Sequence, residues 1–431
     1  MIRIYNISEI SEKEILSRET DMPDVSAAVS AIISDVRENG DEALKKYSAR
    51  FDGAELKTLE LSEEERREAL KLVDTEFMKI LREAAENILE YHNCQRQNGY
   101  MLSREGGVVL GQRVLPLERV GLYVPGGTAS YPSTVLMNCI PAKIAGVSEI
   151  IMTTPPDKNG GVSPNIIAAA EVAGVDRIIK CGGAQAVAAL AFGTQSVPRV
   201  DKIVGPGNVF VSEAKRQVYG DVDIDMIAGP SEILVVSDEK SEPLKLAADM
   251  LSQAEHDKLA TAVLVTTSEK LAWAVAGEIE KQLEQLPRAE IARTSIDNNG
   301  KIIVVKSIEQ AIEISNAIAP EHLELCIDEP FEYLNTVKNA GSVFLGRNCP
   351  EALGDYFAGT NHTLPTGGRA RFSSPLSVDD FVKKMSYMYY SRSALNAVAD
   401  RIAFFAEAEG LSGHAKSALS RSNSEEGRSQ K

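Results

Sequence analysis

The chain has 431 residues, of which 44% are hydrophobic and 25% are charged, and this composition fits a globular protein of about two to four domains. A formal net charge of −16 argues against non-specific binding to nucleic acid or to an anionic membrane surface. Five cysteines with no Cys-x-x-Cys spacing argue against a disulfide framework and a thiolate zinc knuckle. Because the first residues lack the apolar stretch of a secretory signal and no apolar run reaches the ~20 residues of a membrane helix, we expect a cytoplasmic protein without nucleic-acid or membrane partners.

The N-terminal region, residues 1–115, has the apolar periodicity of helices. The pattern is clearest over residues 24–39 and 62–98, where charged residues separate apolar residues at helical spacing. Ser62 and Glu65 have the spacing of a capping box at the start of the second segment. We therefore predict that this region is helical.

Strand and helix patterns alternate in the middle of the chain. Short β-branched runs alternate with Ala-rich segments over residues 116–231, and the alternation returns over residues 232–376. This order is typical of mostly parallel sheets with covering helices. Residues 377–431 return to a helical pattern with a polar end. We predict an α/β protein with two Rossmann-like, mostly parallel sheets and helical N-terminal and C-terminal extensions, with domain boundaries near residues 115, 231 and 376.

The five histidines are few enough to be weighed one by one. His92 lies in a polar helical segment, where a surface histidine is the favoured interpretation. The other four lie in polar stretches that contain glycine or proline, with acids or amides nearby, and this setting favours functional roles. These four are His256, His322, His362 and His414.

Gln253 and His256 lie three residues apart at the end of a predicted helix and share one face. Two such side chains can bind one metal ion, although a capped helix end is an equally good interpretation of the spacing alone. Further ligands could come from Asp355 and His362 in a loop rich in Gly, Thr and Pro. A nitrogen and oxygen donor set without thiolate suits zinc, manganese or similar ions, and the spacing does not choose among them.

Glu321 and His322 follow Pro320 at the predicted start of a strand. A glutamate and a histidine are suited to proton transfer near neutral pH. The alternative is a solvated strand start with no chemical role, and local sequence does not decide between the two.

Three glycine clusters follow predicted strands, at residues 124–129, 181–186 and 204–209. Glycine-rich turns between a strand and a helix are places where phosphates bind. None of the clusters completes the G-x-G-x-x-G fingerprint, because Phe210 occupies the position of the third glycine after Gly205 and Gly207. Together they suggest a nucleotide-binding groove.

Longer stretches, in order from about residue 20 to about residue 420, resemble the histidinol dehydrogenase family. They include "ERVGLYVPGGTASYPSTVLMNCIPAKIAGV", "VDKIVGPGNVFVSEAKRQV", "LSQAEHD", "PEHLEL", "GDYFAGTNHTLPTGG" and "AEAEGLSGHA". The resemblance implies a zinc-dependent and NAD-dependent enzyme of histidine biosynthesis. It would oxidise L-histidinol to L-histidinal and then to L-histidine, with reduction of two NAD. This reaction would be the last step of histidine biosynthesis.

The resemblance also implies roles for particular residues. Glu321 would activate the water that adds to the aldehyde, and His322 would be the general base. One zinc ion per subunit would be bound by Gln253, His256, Asp355 and His414. NAD would contact Tyr123, Gln185 and Asn208. Besides the zinc ligands and His322, the substrate would contact Ser231, His362 and Glu409.

Members of the family are intertwined homodimers in which the C-terminal tail completes the partner's site, so the resemblance implies that Glu409 and His414 act across the interface. Pro375 and Cys139 depart from the family pattern at positions without an implied role. Two alternatives remain open. One is a paralogous zinc-dependent and NAD-dependent dehydrogenase of another polar alcohol, and the other is a catalytically silent metal- or nucleotide-binding protein.

Overall fold

The computed structural model describes residues 1–18, 23–126 and 131–422. Two compact units are present. The core unit comprises Met1–Gln95 and Leu117–Phe381, and the tail unit comprises Arg96–Pro116 and the residues from Val382 onward. Among the described residues, no helix is long and apolar enough to cross a membrane.

The helices and strands are numbered in chain order. The strands are β1 Arg3–Asn6, β2 Tyr100–Arg104, β3 Val108–Pro116, β4 Arg119–Tyr123, β5 Glu149–Thr154, β6 Arg177–Lys180, β7 Lys202–Val204, β8 Asp223–Ile224, β9 Glu232–Ser237, β10 Thr261–Thr266, β11 Lys301–Val304, β12 His322–Cys326, β13 Ser342–Leu345 and β14 Val382–Tyr390. The helices are α1 Glu12–Leu16, α2 Ser26–Asn39, α3 Asp41–Tyr47, α4 Glu63–Leu70, α5 Thr75–Asn93, α6 Pro132–Ala145, α7 Pro164–Ala173, α8 Gly183–Phe192, α9 Val209–Val218, α10 Pro243–Ala254, α11 Glu269–Leu283, α12 Ala289–Asn299, α13 Ile308–Ile318, α14 Pro330–Leu334, α15 Glu351–Tyr356, α16 Arg392–Asn396, α17 Ala399–Ala408 and α18 Ser412–Ser422. Short helical turns of other types cover Ser48–Asp52, Arg369–Arg371 and Val378–Phe381.

The first sheet of the core unit is parallel, with the strand order β6-β5-β4-β7-β8 among the described residues. Alternate residues of each strand face opposite sides. Ile150 and Met152 pack in the cluster that contains α5, α6 and α7, whereas Ile151 packs in the cluster that contains α2, α3, α8 and α9. The strand order reverses between β4 and β7, and α/β proteins bind ligands outside the carboxyl ends of the strands at such a switch point.

The second sheet is also parallel, with the order β1-β11-β10-β9-β12-β13. Its strands β9 to β13 repeat the order of the first sheet, and β1 is added beside β11. Helices α10, α11 and α12 cover one face, and α13 packs on the other. The prediction of an α/β fold with two mostly parallel sheets and helices towards both ends of the chain is confirmed.

The tail unit pairs β14 with β3 and β3 with β2, both antiparallel. Helices α17 and α18 pack through Ala403, Ala406 and Ala415. The helical prediction for residues 382–390 is wrong, because the Val, Met and Tyr side chains of this segment suit a strand and it pairs along its whole length with β3.

Two details of the N-terminal region differ from the sequence prediction and one agrees. The region is not helical throughout, since β1, β2 and most of β3 lie within residues 1–115. His92 is buried rather than exposed, and its Nδ1 hydrogen-bonds Gln95 Oε1 at 2.7 Å. The capping box of Ser62 and Glu65 is confirmed at the start of α4.

Candidate active site

A cavity of about 520 Å³ in the core unit collects most of the residues that the sequence singled out. Its size is that of a small-molecule site. The cavity is lined by eight of the predicted site residues, namely Asn208, Ser231, Gln253, His256, Glu321, His322, Asp355 and His362. Tyr123 and Gln185 do not line it, and Glu409 and His414 belong to the tail unit.

The two sheets contribute opposite edges to this cavity. The first sheet presents Pro125 and Gly205, which follow the carboxyl ends of β4 and β7 at its switch point. The second sheet presents its amino edge, since Ser231 precedes β9 and His322 begins β12. The first sheet therefore offers the usual nucleotide-binding edge, and the second sheet aims side chains into the same space.

The backbone of Glu232 holds both members of the predicted catalytic pair. Its N–H donates to Glu321 Oε2 at 2.9 Å, and its carbonyl oxygen is 3.0 Å from His322 Nδ1. Since a carbonyl oxygen can only accept, the proton of the neutral imidazole lies on Nδ1. His322 Nε2 is buried and has no hydrogen-bond partner among the described residues, so its lone pair is available to a molecule in the cavity.

Burial shifts the two groups in opposite directions. It lowers the pKa of His322, which is 4% exposed, so that the neutral imidazole is favoured. It raises the pKa of Glu321 well above the ordinary value for a glutamate. A neutral imidazole can accept the proton of an alcohol, and a carboxylate with a raised pKa is a stronger proton acceptor once it is ionised.

The chain is strained just before this pair. Ala319 ends α13 with φ = 53°, in the left-handed region that residues other than glycine rarely adopt. On the other side, a Cβ at Gly341 would lie 2.5 Å from the backbone oxygen of Glu321. This close approach requires glycine, and it lets β13 pair with β12 directly behind Glu321 and His322.

Gln253 and His256 lie at the C-terminal end of α10 and in the turn that follows. The His256 N–H donates to the Gln253 carbonyl oxygen at 3.1 Å, which closes this turn. Gln253 is 1% exposed, and its Oε1 has no hydrogen-bond partner among the described residues. Such a buried acceptor is costly unless a ligand satisfies it, and here the residue lines a cavity.

Asp355 and His362 enter the cavity from α15 and the loop that follows it. His362 Nδ1 donates to the Asp355 carbonyl oxygen at 3.1 Å. Asp355 Oδ1 is 3.8 Å from His322 Nε2. Burial, followed by the charge of Glu351, raises the pKa of Asp355 to about 8, and burial lowers that of His362 to about 4. An added cation would favour the ionised form of this carboxyl group.

Of the predicted NAD contacts, Asn208 faces the cavity and caps α9, because its side chain accepts from the N–H groups of Phe210 and Val211. Tyr123 is buried, and its hydroxyl oxygen accepts from the Gly183 N–H at 3.1 Å. Gln185 is buried nearby on α8, and its Oε1 has no partner among the described residues.

The loop before Asn208 is fixed by its backbone. Gly205 has φ = 117°, and a Cβ there would lie 2.1 Å from the Tyr123 carbonyl oxygen. Lys215 and Asp225 form a buried ion pair beside this glycine. Asp225 Oδ2 accepts from the Gly205 N–H at 2.7 Å, and Lys215 Nζ donates to the Gly205 carbonyl oxygen at 3.0 Å. This glycine cluster is therefore a rigid wall of the cavity.

Sequence reasoning missed three residues that support the site. The backbone of Glu232 anchors Glu321 and His322, and its carboxylate is paired with Arg18, whose Nε lies 2.7 Å from Glu232 Oε1. Glu351 is buried on α15 next to the predicted ligands. Its spacing of four residues before Asp355 places both on one helix face and is the signal that could have found it.

In the tail unit, Glu409 and His414 line a cavity of about 540 Å³ between α17 and α18, together with apolar residues such as Phe405. Two residues predicted to complete the site are thus neighbours in the second compact unit.

The doubly wound sheet and a cavity lined by carboxyl, amide and imidazole side chains are those of an α/β enzyme. A family model described as "Histidinol dehydrogenase" matches residues 16–422. The histidinol dehydrogenase of Clostridium acetobutylicum is 59% identical over 389 residues, which are 90% of each chain, and that of Geobacillus kaustophilus is 54% identical over 389 residues, 90% of this chain and 92% of the relative. The crystal structure of histidinol dehydrogenase from Elizabethkingia anophelis matches with a TM-score of 0.92 and 39% identity, over 97% of this chain and 98% of that chain. The chain belongs to the histidinol dehydrogenase family, whose members are oxidoreductases of histidine biosynthesis.

Proposed function

We propose that the protein oxidises L-histidinol through L-histidinal to L-histidine, with zinc bound in the cavity and two NAD reduced in succession. The observation that carries the proposal is the buried His322, whose Nε2 has no hydrogen-bond partner in the described part of the chain and which lines a cavity together with the buried Glu321. An alcohol carbon releases hydride readily only as its hydroxyl proton leaves, and an aldehyde must gain water before a second hydride can leave. The reaction therefore needs a base in each half.

The residues present fit a zinc ion. Gln253 has a buried Oε1 without a hydrogen-bond partner among the described residues, and burial together with the charge of Glu351 raises the pKa of Asp355 to about 8, which an added cation would offset. We propose Gln253, His256, Asp355 and His414 as the ligands, a nitrogen and oxygen set that zinc accepts. When bound, zinc would hold the imidazole and amino nitrogens of the substrate and NAD would accept hydride.

The protein groups then have separate tasks. His322 takes the hydroxyl proton at Nε2, and its orientation is kept by the hydrogen bond from Nδ1 to Glu232. Glu321 takes a proton from the water that adds to the aldehyde. Ser231, His362 and Glu409 are proposed to contact the substrate. Because Glu321 and His322 line the same cavity, one bound substrate can meet both bases without leaving.

We propose a single NAD site at the switch point of the first sheet, with contacts from Tyr123, Gln185 and Asn208. At the equivalent point of the second sheet, the guanidinium of Arg347 hydrogen-bonds Asp238 at 2.6 Å and other groups around the carboxyl ends of β9 and β12. This supports the use of one nicotinamide site twice. In this scheme residues 116–231 bind NAD, and residues 232–376 supply most of the zinc ligands and both bases.

We propose a homodimer in which residues 377–431 complete the partner's site with Glu409 and His414. The tail unit supports this, since it exposes large apolar side chains that a monomer would leave in water, including Met388, Phe404 and Phe405. A cytoplasmic location fits the five free cysteines.

The first test is a stoichiometry. The zinc-loaded protein is given limiting L-histidinol and excess NAD, and the NADH formed at completion is counted. Two NADH per histidinol, lost on chelation and restored by zinc, is the expected result. One NADH would mean that the aldehyde escapes and would remove the role of Glu321. No NADH from a folded, zinc-loaded protein would favour a dehydrogenase of another polar alcohol.

A further inference from the structure

The carboxylate of Glu351 is surrounded by donors at the edge of the proposed metal site. Glu351 is 3% exposed at the start of α15. Its Oε2 accepts from Ser252 Oγ at 2.8 Å, and the side chains of Gln253 and Asp355 lie within hydrogen-bonding reach of the carboxylate. Its backbone N–H donates to Glu324 Oε1 at 2.8 Å, which fixes the helix start from which the side chain extends.

These contacts determine which end of the Gln253 amide faces the cavity. An amide side chain has an NH₂ group that donates and an oxygen that accepts, whereas a carboxylate only accepts. The NH₂ group must therefore face Glu351, and Oε1 must face away from it. Within the described residues, Oε1 is the buried atom of Gln253 that has no hydrogen-bond partner.

We propose that Glu351 is a positioning residue that aims Gln253 Oε1 at the metal ion. The proposal rests on the zinc site of the proposed function. Partners of this kind fix the orientation of a ligand and typically contribute about 10- to 100-fold in metal affinity. Glu351 therefore acts through Gln253 and does not need to touch the ion.

A competing assignment makes Glu351 a ligand itself, because ligand atoms of His322, Glu351 and Asp355 lie within 4.8 Å of one another. The hydrogen bonds argue against it. The carboxylate of Glu351 already interacts with Ser252, Gln253 and Asp355, whereas Gln253 Oε1 has no hydrogen-bond partner among the described residues.

The experiment measures zinc affinity of the full-length protein by competition with a chromogenic chelator, without turnover. We expect Glu351→Gln to bind zinc about 10- to 100-fold more weakly, because the new amide lets Gln253 adopt either orientation. Asp249→Asn is the matched control, because Asp249 lies one turn before Gln253 on α10 and its side chain interacts with Glu324 rather than with Gln253. Its zinc affinity should be unchanged.

A reciprocal change separates positioning from ligation. The second variant combines Glu351→Gln with Gln253→Glu. The amide now at position 351 can donate to the carboxylate now at position 253, whose second oxygen faces the cavity. Zinc affinity should therefore return. Failure of this double variant to recover, or an unchanged affinity in Glu351→Gln alone, would overturn the positioning role. If Glu351→Gln does not fold, Glu351→Asp, which withdraws the carboxylate, should show the same loss. A wild-type protein that binds no zinc would overturn the metal assignment itself, and the positioning role with it.

Discussion

The imidazole of His322 is held by the backbone carbonyl oxygen of Glu232, 3.0 Å from Nδ1. The bond comes from the sheet, because β12 runs beside β9 and His322 pairs with Ile233 in the parallel ladder. A strand neighbour thereby decides that Nε2, and not Nδ1, faces the cavity. The orientation of the imidazole is therefore set by main-chain geometry, through a hydrogen bond to a backbone carbonyl oxygen.

Replacement of His322 by asparagine should separate binding from turnover. In His322→Asn the amide can still donate to Glu232, but the acceptor nitrogen in the cavity is lost. We expect turnover to fall about 100- to 10,000-fold, with histidinol and zinc affinities largely kept. Steady-state rates and calorimetric titrations check this, with His92→Gln as a control at a buried histidine outside the cavity. Near-normal rates in His322→Asn would remove the residue from the mechanism.

Replacement of Glu321 by glutamine should affect the two half-reactions unequally. The amide keeps an oxygen that can accept the Glu232 N–H, but it cannot take a proton from water. We expect oxidation of added histidinal to fall far more than oxidation of histidinol, measured by rapid-mixing traces of NADH. Equal losses in both half-reactions would contradict water activation by this residue.

The fold and the residues with chemically distinctive side chains could be predicted from the sequence. Residues whose contribution depends only on where their backbone lies in the fold could not. Glu321 and His322 have side chains whose chemistry is recognisable. Glu232 was missed because its role lies in its backbone, which any residue type carries. The strand at residues 382–390 was misread because its partner, β3, is remote in sequence. His92 could have been placed inside, since it continues the buried face of α5.

The ion pair of Arg18 and Glu232 should contribute to the stability of the fold. Arg18 Nε lies 2.7 Å from Glu232 Oε1, and both side chains are largely buried. In Arg18→Gln a buried carboxylate loses its partner, and we expect the free energy of unfolding to fall by about 3–5 kcal/mol. Denaturant unfolding measures this. The double variant Arg18→Gln/Glu232→Gln leaves no buried charge and should recover most of the loss, and a double variant as unstable as the single one would contradict this account.

Asp52 should make stability fall as the pH rises. Burial raises its pKa to about 6 from 3.8, and its Oδ2 has no hydrogen-bond partner among the described residues. Between these values the folded state holds a proton that the unfolded state has lost, so stability decreases with rising pH through this window. Asp52→Asn should therefore be more stable at pH 7.5, by about 1 kcal/mol after allowance for solvent screening, and equal to wild type at pH 3.5.

Replacement of Asp35 by asparagine is the control for this pH dependence, because the pKa of Asp35 is shifted in the opposite direction. Hydrogen bonds from Lys46 and Asn39 lower the pKa of Asp35 to about 2. Its ionised form therefore stabilises the fold above pH 4, and Asp35→Asn should lower the melting temperature at neutral pH. If Asp52→Asn also lowered the melting temperature at neutral pH, the assignment for Asp52 would fail.

The proposed exchange of tails predicts that two inactive variants restore each other. His322→Asn alters the core unit, and His414→Asn alters the tail unit. If each site combines one core with the partner's tail, a mixed dimer has one site with both changes and one with neither. Random pairing of co-expressed subunits then gives about a quarter of the wild-type activity. His322→Asn mixed with His256→Asn is the control, because both residues line the cavity of a single core unit and no intact site can form. Activity that stays at the level of the single variants in the first mixture would show that each tail serves its own chain.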